Sequence, residues 1–162
     1  TRSMTNFGRV APDEPVFGVC RPGHLSAGMD EWVDVLVSAR VGSVVCLLSE
    51  LEARRYRLPD AYADRFETAH VPIRDRYLPS PEALEAALAA IRSADAAGKR
   101  CALHCNAGLG RTGVVSAAWL SRERGYEPED AIATVEAAGR APREAVRCGN
   151  ATISELFDLL EG

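Results

Sequence analysis

One stretch limits what this chain can fold into more than any other. Arg100–His104 is a short apolar run suited to a buried strand, and a glycine-bearing loop follows it at once. A helix then runs from about Arg111 to Arg124, where Gly125 stops it. The join reads His104-Cys105-Asn106-Ala107-Gly108-Leu109-Gly110-Arg111-Thr112-Gly113. A strand passing through small residues straight into a helix N-terminus calls for a layered α/β arrangement.

The rest of the chain repeats that alternation. Val16–Val19 reads as a strand, and Met29–Arg40 as a helix with Trp32, Val33, Leu36 and Val37 on one face. Gly42 is expected to break that helix before a buried strand over Ser43–Leu48. Phe66–Ile73 is a further extended segment, ending in Pro72 and a charged loop. Ser80-Pro81-Glu82 is a strong helix start, and Leu84, Ala87, Leu88 and Ile91 carry that helix to Gly98. Pro128 opens another helix to about Ala138, and Asn150 or Thr152 caps a last one ending near Leu160. The pattern predicts an α/β fold: a central, mostly parallel sheet flanked by helices on both faces, with a helical C-terminal half. No repeat, linker or shift of composition divides the 162 residues, so a single domain is expected over 6–160. Thr1-Arg2-Ser3 ahead of Met4 reads as a tag remnant, and residues 1–5, a tag remnant or a disordered N-terminus, are left outside the domain.

Composition excludes several classes. Hydrophobic residues at 47% and charged residues at 26% fit a folded, core-bearing chain. A net charge of −4 disfavours a nucleic-acid binder, which draws its affinity from phosphate neutralisation. No apolar run approaches the roughly 18 residues of a membrane span. The five cysteines contain no C-x-x-C pair, so neither a zinc ribbon nor a thioredoxin-type couple is expected, and the prediction is no metal and no cofactor. Reduced thiols in a cytoplasmic monomer are the default.

The segment 104–113 carries the chemistry. Cysteine followed six positions later by arginine should occur by chance roughly 0.6 times in such a chain. The added His, Gly and Thr-Gly lower that expectation by roughly 10⁻⁵. Five residues between Cys105 and Arg111 can curl so that backbone N–H groups point inward. Ala107, Gly108 and Gly110 let the backbone approach a ligand closely. The helix N-terminus adds positive potential, which favours a tetrahedral dianion and also a thiolate. Arg111 offers a planar fork for two phosphate oxygens, Thr112 brings a hydroxyl near the sulfur, and His104 can hold the loop backbone.

On these residues the sequence resembles the cysteine-dependent protein tyrosine phosphatases, and among them the small, atypical dual-specificity members. The resemblance spans about Phe7 to Leu160 and includes Ala118-Trp119-Leu120-Ser121, similar to the A-Y-L-M stretch of that family. It implies that Cys105 is the nucleophile, that Arg111 binds phosphate and stabilises the transition state, and that Thr112 assists breakdown of a cysteinyl-phosphate. Asn106, Ala107, Gly108, Leu109 and Gly110 would complete the phosphate loop, with His104 in support. The general acid is expected to be Asp75, in Val71-Pro72-Ile73-Arg74-Asp75-Arg76-Tyr77-Leu78-Pro79, just past a strand's C-terminal end. Asp60, Asp64 and Glu67 lie before or within that strand. Arg74 stands where the larger tyrosine-specific enzymes carry the W-P of a mobile acid loop, so lid motion is not implied.

The implied function is hydrolysis of phosphotyrosine, and also of phosphoserine or phosphothreonine, in a protein or peptide substrate; inorganic phosphate and other oxyanions would occupy the same loop. Alternatives keep the chemistry on a phosphoinositide or an RNA 5′-phosphate, or reduce the site to a non-catalytic phosphate-binding module. Neutral Asn106, Ala107 and Leu109 argue against the first pair, and an intact Cys105, Arg111 and Asp75 against the last. A sulfurtransferase loop fits the Arg-Thr-Gly less well. Cys46 and Cys101 are read as core residues or as disulfide partners for oxidised Cys105. Asn150 is a helix cap or a residue that orients water, His24 and His70 are ordinary, and Glu50–Arg57 is a solvated helix that can border the substrate entrance.

Overall fold

The computed structural model describes residues 6–25 and 28–162; the reading of residues 1–5 as a tag remnant or a disordered N-terminus lies outside them. The elements run β1 (Gly8–Arg9), β2 (Val16–Val19), α1 (Met29–Ser38), β3 (Val41–Cys46), α2 (Glu50–Tyr56), β4 (Glu67–His70), α3 (Pro81–Ala96), β5 (Arg100–His104), α4 (Gly110–Arg124), α5 (Pro128–Ala137), α6 (Glu144–Arg147) and α7 (Ile153–Glu161), with a 3₁₀ turn at Asp60–Tyr62. The sheet order is β1-β2-β5-β3-β4. Only β1 among these is antiparallel to its neighbour; β2, β5, β3 and β4 pair in parallel. The expected mostly parallel sheet is therefore present, and β5, the strand that enters the loop, lies at its centre.

Alternation along the central strands builds two cores, as a sheet covered on both faces requires. Val44, Cys46 and Ala102 face Trp32 and Leu36 of α1, together with Tyr62 and Phe66. Val45, Leu47, Leu103 and Cys105 face Leu84, Leu88 and Ile91 of α3, Val114 and Trp119 of α4, and Leu156 of α7. Helix α4 is buried from Gly110 through Leu120 without a break, which suits a helix enclosed on all sides. No helix among the described residues is long and apolar enough to cross a membrane.

The end of α1 and the start of β3 differ from the sequence reading. Helix α1 ends at Ser38; Arg40, at φ +64, turns the chain, and Gly42 sits inside β3 instead of breaking the helix. Val37 leaves the predicted apolar face and is 55% exposed, so Trp32, Val33 and Leu36 alone carry that face. Ser80 caps α3 as expected, its Oγ accepting from the Ala83 N–H at 3.1 Å. The last helix is capped by Thr152, whose hydroxyl and the Glu155 carboxylate close a reciprocal box, and not by Asn150.

Candidate active site

The last residue of β5, His104, and the one after it, Cys105, face opposite sides of the sheet. His104 points into the α1 core and is fully buried. Its Nδ1 lies 3.0 Å from the Cys105 carbonyl and its Nε2 lies 2.6 Å from the Tyr62 hydroxyl. A carbonyl can only accept, so Nδ1 carries the proton and Tyr62 donates to Nε2. The ring is thereby a neutral strut behind the loop, and burial pushes its pKa down to about 4. The unfolded chain takes up this proton near 6.5 and the folded chain only near 4, so the unfolded state binds more protons between those values. Stability from His104 is thus complete above the unfolded value and is lost as pH falls. Urea unfolding should show about 2 kcal/mol more loss between pH 7 and pH 5 in the native protein than in His104→Asn. Parallel losses in the two proteins would contradict a buried neutral ring.

Cys105 sits at a cavity of about 140 Å³, lined also by Asp75, Arg76, Asn106, Ala107, Leu109, Gly110, Arg111 and Glu144. Thr112, on the first turn of α4, donates its hydroxyl to the Cys105 sulfur at 3.3 Å. Gly108 does not line the cavity. It takes φ +80 and lies against the Val19 carbonyl, where a side chain would collide with backbone.

The loop is held from outside by its carbonyls. That of Asn106 accepts from the Arg21 N–H at 2.9 Å, and that of Leu109 from the N–H groups of Ala141 and Gly113 at 2.9 and 3.0 Å. Asn6 Nδ2 donates to Ala107 O at 2.6 Å, and Arg140 Nη1 to Gly108 O at 2.7 Å. The guanidinium of Arg140 is buried, and it also donates to the carbonyls of Asn6, Gly8 and Gly18, tying the loop to β1 and β2. With the carbonyls turned outward, the N–H groups of residues 106–111 donate to no backbone acceptor among the described residues. Six amide donors at the mouth of a helix make a nest for an anion.

Arg111 closes the nest. Its side chain is 2% exposed, and Nη1 donates to Glu52 Oε1 at 2.6 Å and to the Ile73 carbonyl at 2.9 Å. Nη2 donates to Glu52 Oε2 at 3.1 Å and to Asp75 Oδ1 at 3.2 Å, while Nε has no partner. Burial favours the neutral form of both Glu52 and Arg111, yet their mutual hydrogen bonds outweigh it, holding the carboxyl low and the guanidinium high. Glu52 owes its place to the cap of α2: its Oε1 accepts from the Ser49 N–H and the Ser49 hydroxyl accepts from the Glu52 N–H.

The fold thus brings Cys105, Arg111, Asp75 and the loop together. It also brings in Glu52 and Glu144, which the sequence reading did not single out, together with Arg140 and Tyr62 outside the cavity. The Ser49-x-x-Glu52 capping box was the available signal for Glu52; nothing local marks the other three. The Glu144 carboxylate lies over Gly110, where a Cβ would meet it. Asn150 neither caps a helix nor lines the cavity: its Nδ2 donates to the Arg76 carbonyl at 2.9 Å. Neither cysteine read as a disulfide partner is placed for it. Cys101 lies four residues back along β5, about 13 Å away at strand rise, and Cys46 packs into the opposite core. The cysteine that the register sets beside Cys105 is Cys20, since Val19 pairs with His104.

Residues 17–125, from β2 to the end of α4, match the model of the family Tc-R-P, described as the DSP-PTPase phosphatase of polymorphic toxin systems. The matched span contains Asp75 and the whole 104–113 segment. The chain belongs to this family. Similar solved structures include Tk-PTP in its active form, 28% identical over 94% of this chain and 97% of that one, with a TM-score of 0.71. A glycine-to-alanine mutant of Tk-PTP is 30% identical over 93% of this chain and 89% of that one, with a TM-score of 0.66. A variant of human DUSP28, 23% identical over 96% of each chain with a TM-score of 0.68, shares the fold. The protein is accordingly a phosphatase, a hydrolase of the small dual-specificity type within the cysteine-dependent superfamily.

Proposed function

We propose that this phosphatase removes phosphate from phosphotyrosine, and also from phosphoserine and phosphothreonine, in protein or peptide substrates through a cysteinyl-phosphate. The observation that carries the reading is the set of donors in the loop after Cys105 that have no protein acceptor among the described residues: six loop amides and the buried Nε of Arg111. A phosphoryl group supplies acceptors for all of them, and a thiolate at their focus is well placed to attack it. A cavity of about 140 Å³ holds a phosphoryl group and little more. An aryl ring therefore stays largely outside, which supports acceptance of alkyl as well as aryl phosphates. The need for a free Cys105 thiol favours a reducing, cytoplasmic setting.

In the first step the Cys105 thiolate attacks phosphorus; the S–P bond forms and the P–O bond breaks. Asp75 gives a proton to the departing oxygen. The phosphoryl oxygens take the loop amides and the one unpartnered donor of Arg111, its Nε–H. In the second step water attacks phosphorus, Asp75 accepts its proton, and the hydrogen bond from Thr112 stabilises the sulfur that leaves as thiolate.

The role of Asp75 is tested by leaving groups. Asp75→Asn should lower kcat by about 10²–10⁴-fold on a phosphotyrosyl peptide, whose phenolic oxygen leaves poorly unless protonated. The loss should shrink on an aryl phosphate with a strongly acidic leaving group. An equal loss on both substrates would exclude Asp75 as the acid and direct attention to Glu144, the other carboxylate on the cavity.

A further inference from the structure

Beside the nucleophile stands an arginine that the chemistry above does not use. Arg21 follows β2, and its guanidinium stacks on the Tyr56 ring at 3.6 Å. Nε donates to Asn106 Oδ1 at 2.7 Å and Nη1 to the Pro22 carbonyl at 3.1 Å, while Nη2 meets no acceptor among the described residues. No carboxylate among those residues lies within ion-pair distance of Arg21, in contrast to Arg111, Arg124 and Arg143. The bond from Nε fixes the Asn106 amide, because only its oxygen can accept. Its NH₂ end therefore faces away from Arg21, on a residue that lines the cavity and directly follows Cys105. Both side chains are partly exposed. The result is a cationic fork and an amide donor, side by side at the rim, backed by an aromatic ring that limits the freedom of the guanidinium.

We infer that Arg21 is a specificity-determining residue: with the Asn106 amide it receives the carboxylate of an acidic residue next to the phosphorylated one in a peptide substrate. The inference rests on the phosphatase reading above and adds the substrate class. The scissile phosphoryl occupies the loop amides and Arg111, so a second anion held at the rim is bound by separate donors. A carboxylate suits the site because an arginine fork and an amide supply parallel N–H donors to its two oxygens. Being partly exposed, the contact should have a modest effect that weakens with salt.

The test compares kcat/KM for two phosphotyrosyl peptides, one with aspartate and glutamate on both sides of the phosphotyrosine and one with alanine there. The native protein should favour the acidic peptide about fivefold at low salt, and less at 0.5 M sodium chloride. In Arg21→Met the ratio should fall to about one; in Arg21→Lys it should be partly kept. The ratio is read within each protein, so a general loss of activity in a variant does not affect it. Equal rates on the two peptides in the native protein, or an undiminished preference in Arg21→Met, would overturn the inference while hydrolysis of para-nitrophenyl phosphate leaves the phosphatase reading standing. Failure to hydrolyse any of the three substrates would overturn both.

Discussion

Cys105→Ser is expected to reduce turnover of para-nitrophenyl phosphate by on the order of 10⁵-fold or more while phosphate affinity stays within a few-fold of the native value. The two effects separate because different atoms produce them. Turnover needs an anionic nucleophile at the focus of the loop, and a serine hydroxyl is not ionised near neutral pH. In the proposed function, affinity comes from the amides of residues 106–111 and from Arg111, and the loop is positioned by outward contacts to Arg21, Asn6, Arg140 and Ala141. None of those contacts touches the sulfur. Calorimetric titration with phosphate and a stopped assay on the same preparation measure both quantities. Activity near the native rate would remove Cys105 from the chemistry, and loss of phosphate binding would show that the sulfur shapes the loop.

Replacement of Arg111 is the second large effect. Arg111→Lys should be nearly as harmful as Arg111→Ala, each lowering kcat by about 10³-fold. Arg111 makes four hydrogen bonds to Glu52, Ile73 and Asp75 and still has Nε free for phosphate. An ammonium has no rigid fork and cannot hold both carboxylates while facing the loop. Lysine does keep a positive charge against Glu52, whose side chain is 21% exposed. Alanine removes it and leaves that carboxylate uncompensated, at a cost of about 3 kcal/mol or more. The two variants should therefore match in kcat and differ in thermal stability, with alanine the less stable. If lysine restores most of the activity, Arg111 serves only as a charge.

How far the chain could be read before the fold was seen depends on the range of each interaction. The 104–113 loop was legible because its requirements are local: small residues for close approach, an arginine in the first helical turn, a strand before and a helix after. Alternating apolar runs likewise revealed the parallel sheet, since β3 and β5 are buried on both faces. The position of Asp75 at the cavity could be read because a strand end marks the sheet edge where ligands of such sheets lie. Glu52 escaped because an acidic residue in the first turn of a short helix looks like a cap, and here one oxygen both caps the helix and grips Arg111. Arg140 and Glu144 are separated from the loop by about thirty residues or more, and no local pattern distinguishes a guanidinium that holds four carbonyls from one on the surface. Cys46 and Cys101 are core residues, as read first, and the alternative of a disulfide to Cys105 is closed by geometry that sequence does not carry: side-chain alternation sends Cys46 to the other core, and strand rise carries Cys101 out of reach.

The central claim is a covalent phosphate on Cys105, and trapping it is the most direct test. With para-nitrophenyl phosphate the acidic leaving group makes the first step fast, so the intermediate should accumulate before water attacks. Acid quenching within the first turnovers, followed by peptide mass spectrometry, should place one phosphate on the peptide containing Cys105, with a burst of nitrophenolate equal to the enzyme concentration. Asp75→Asn, which lacks the group proposed to activate the water, should hold more of it. Phosphate found on another residue, or steady turnover with neither burst nor labelled peptide, would contradict the account.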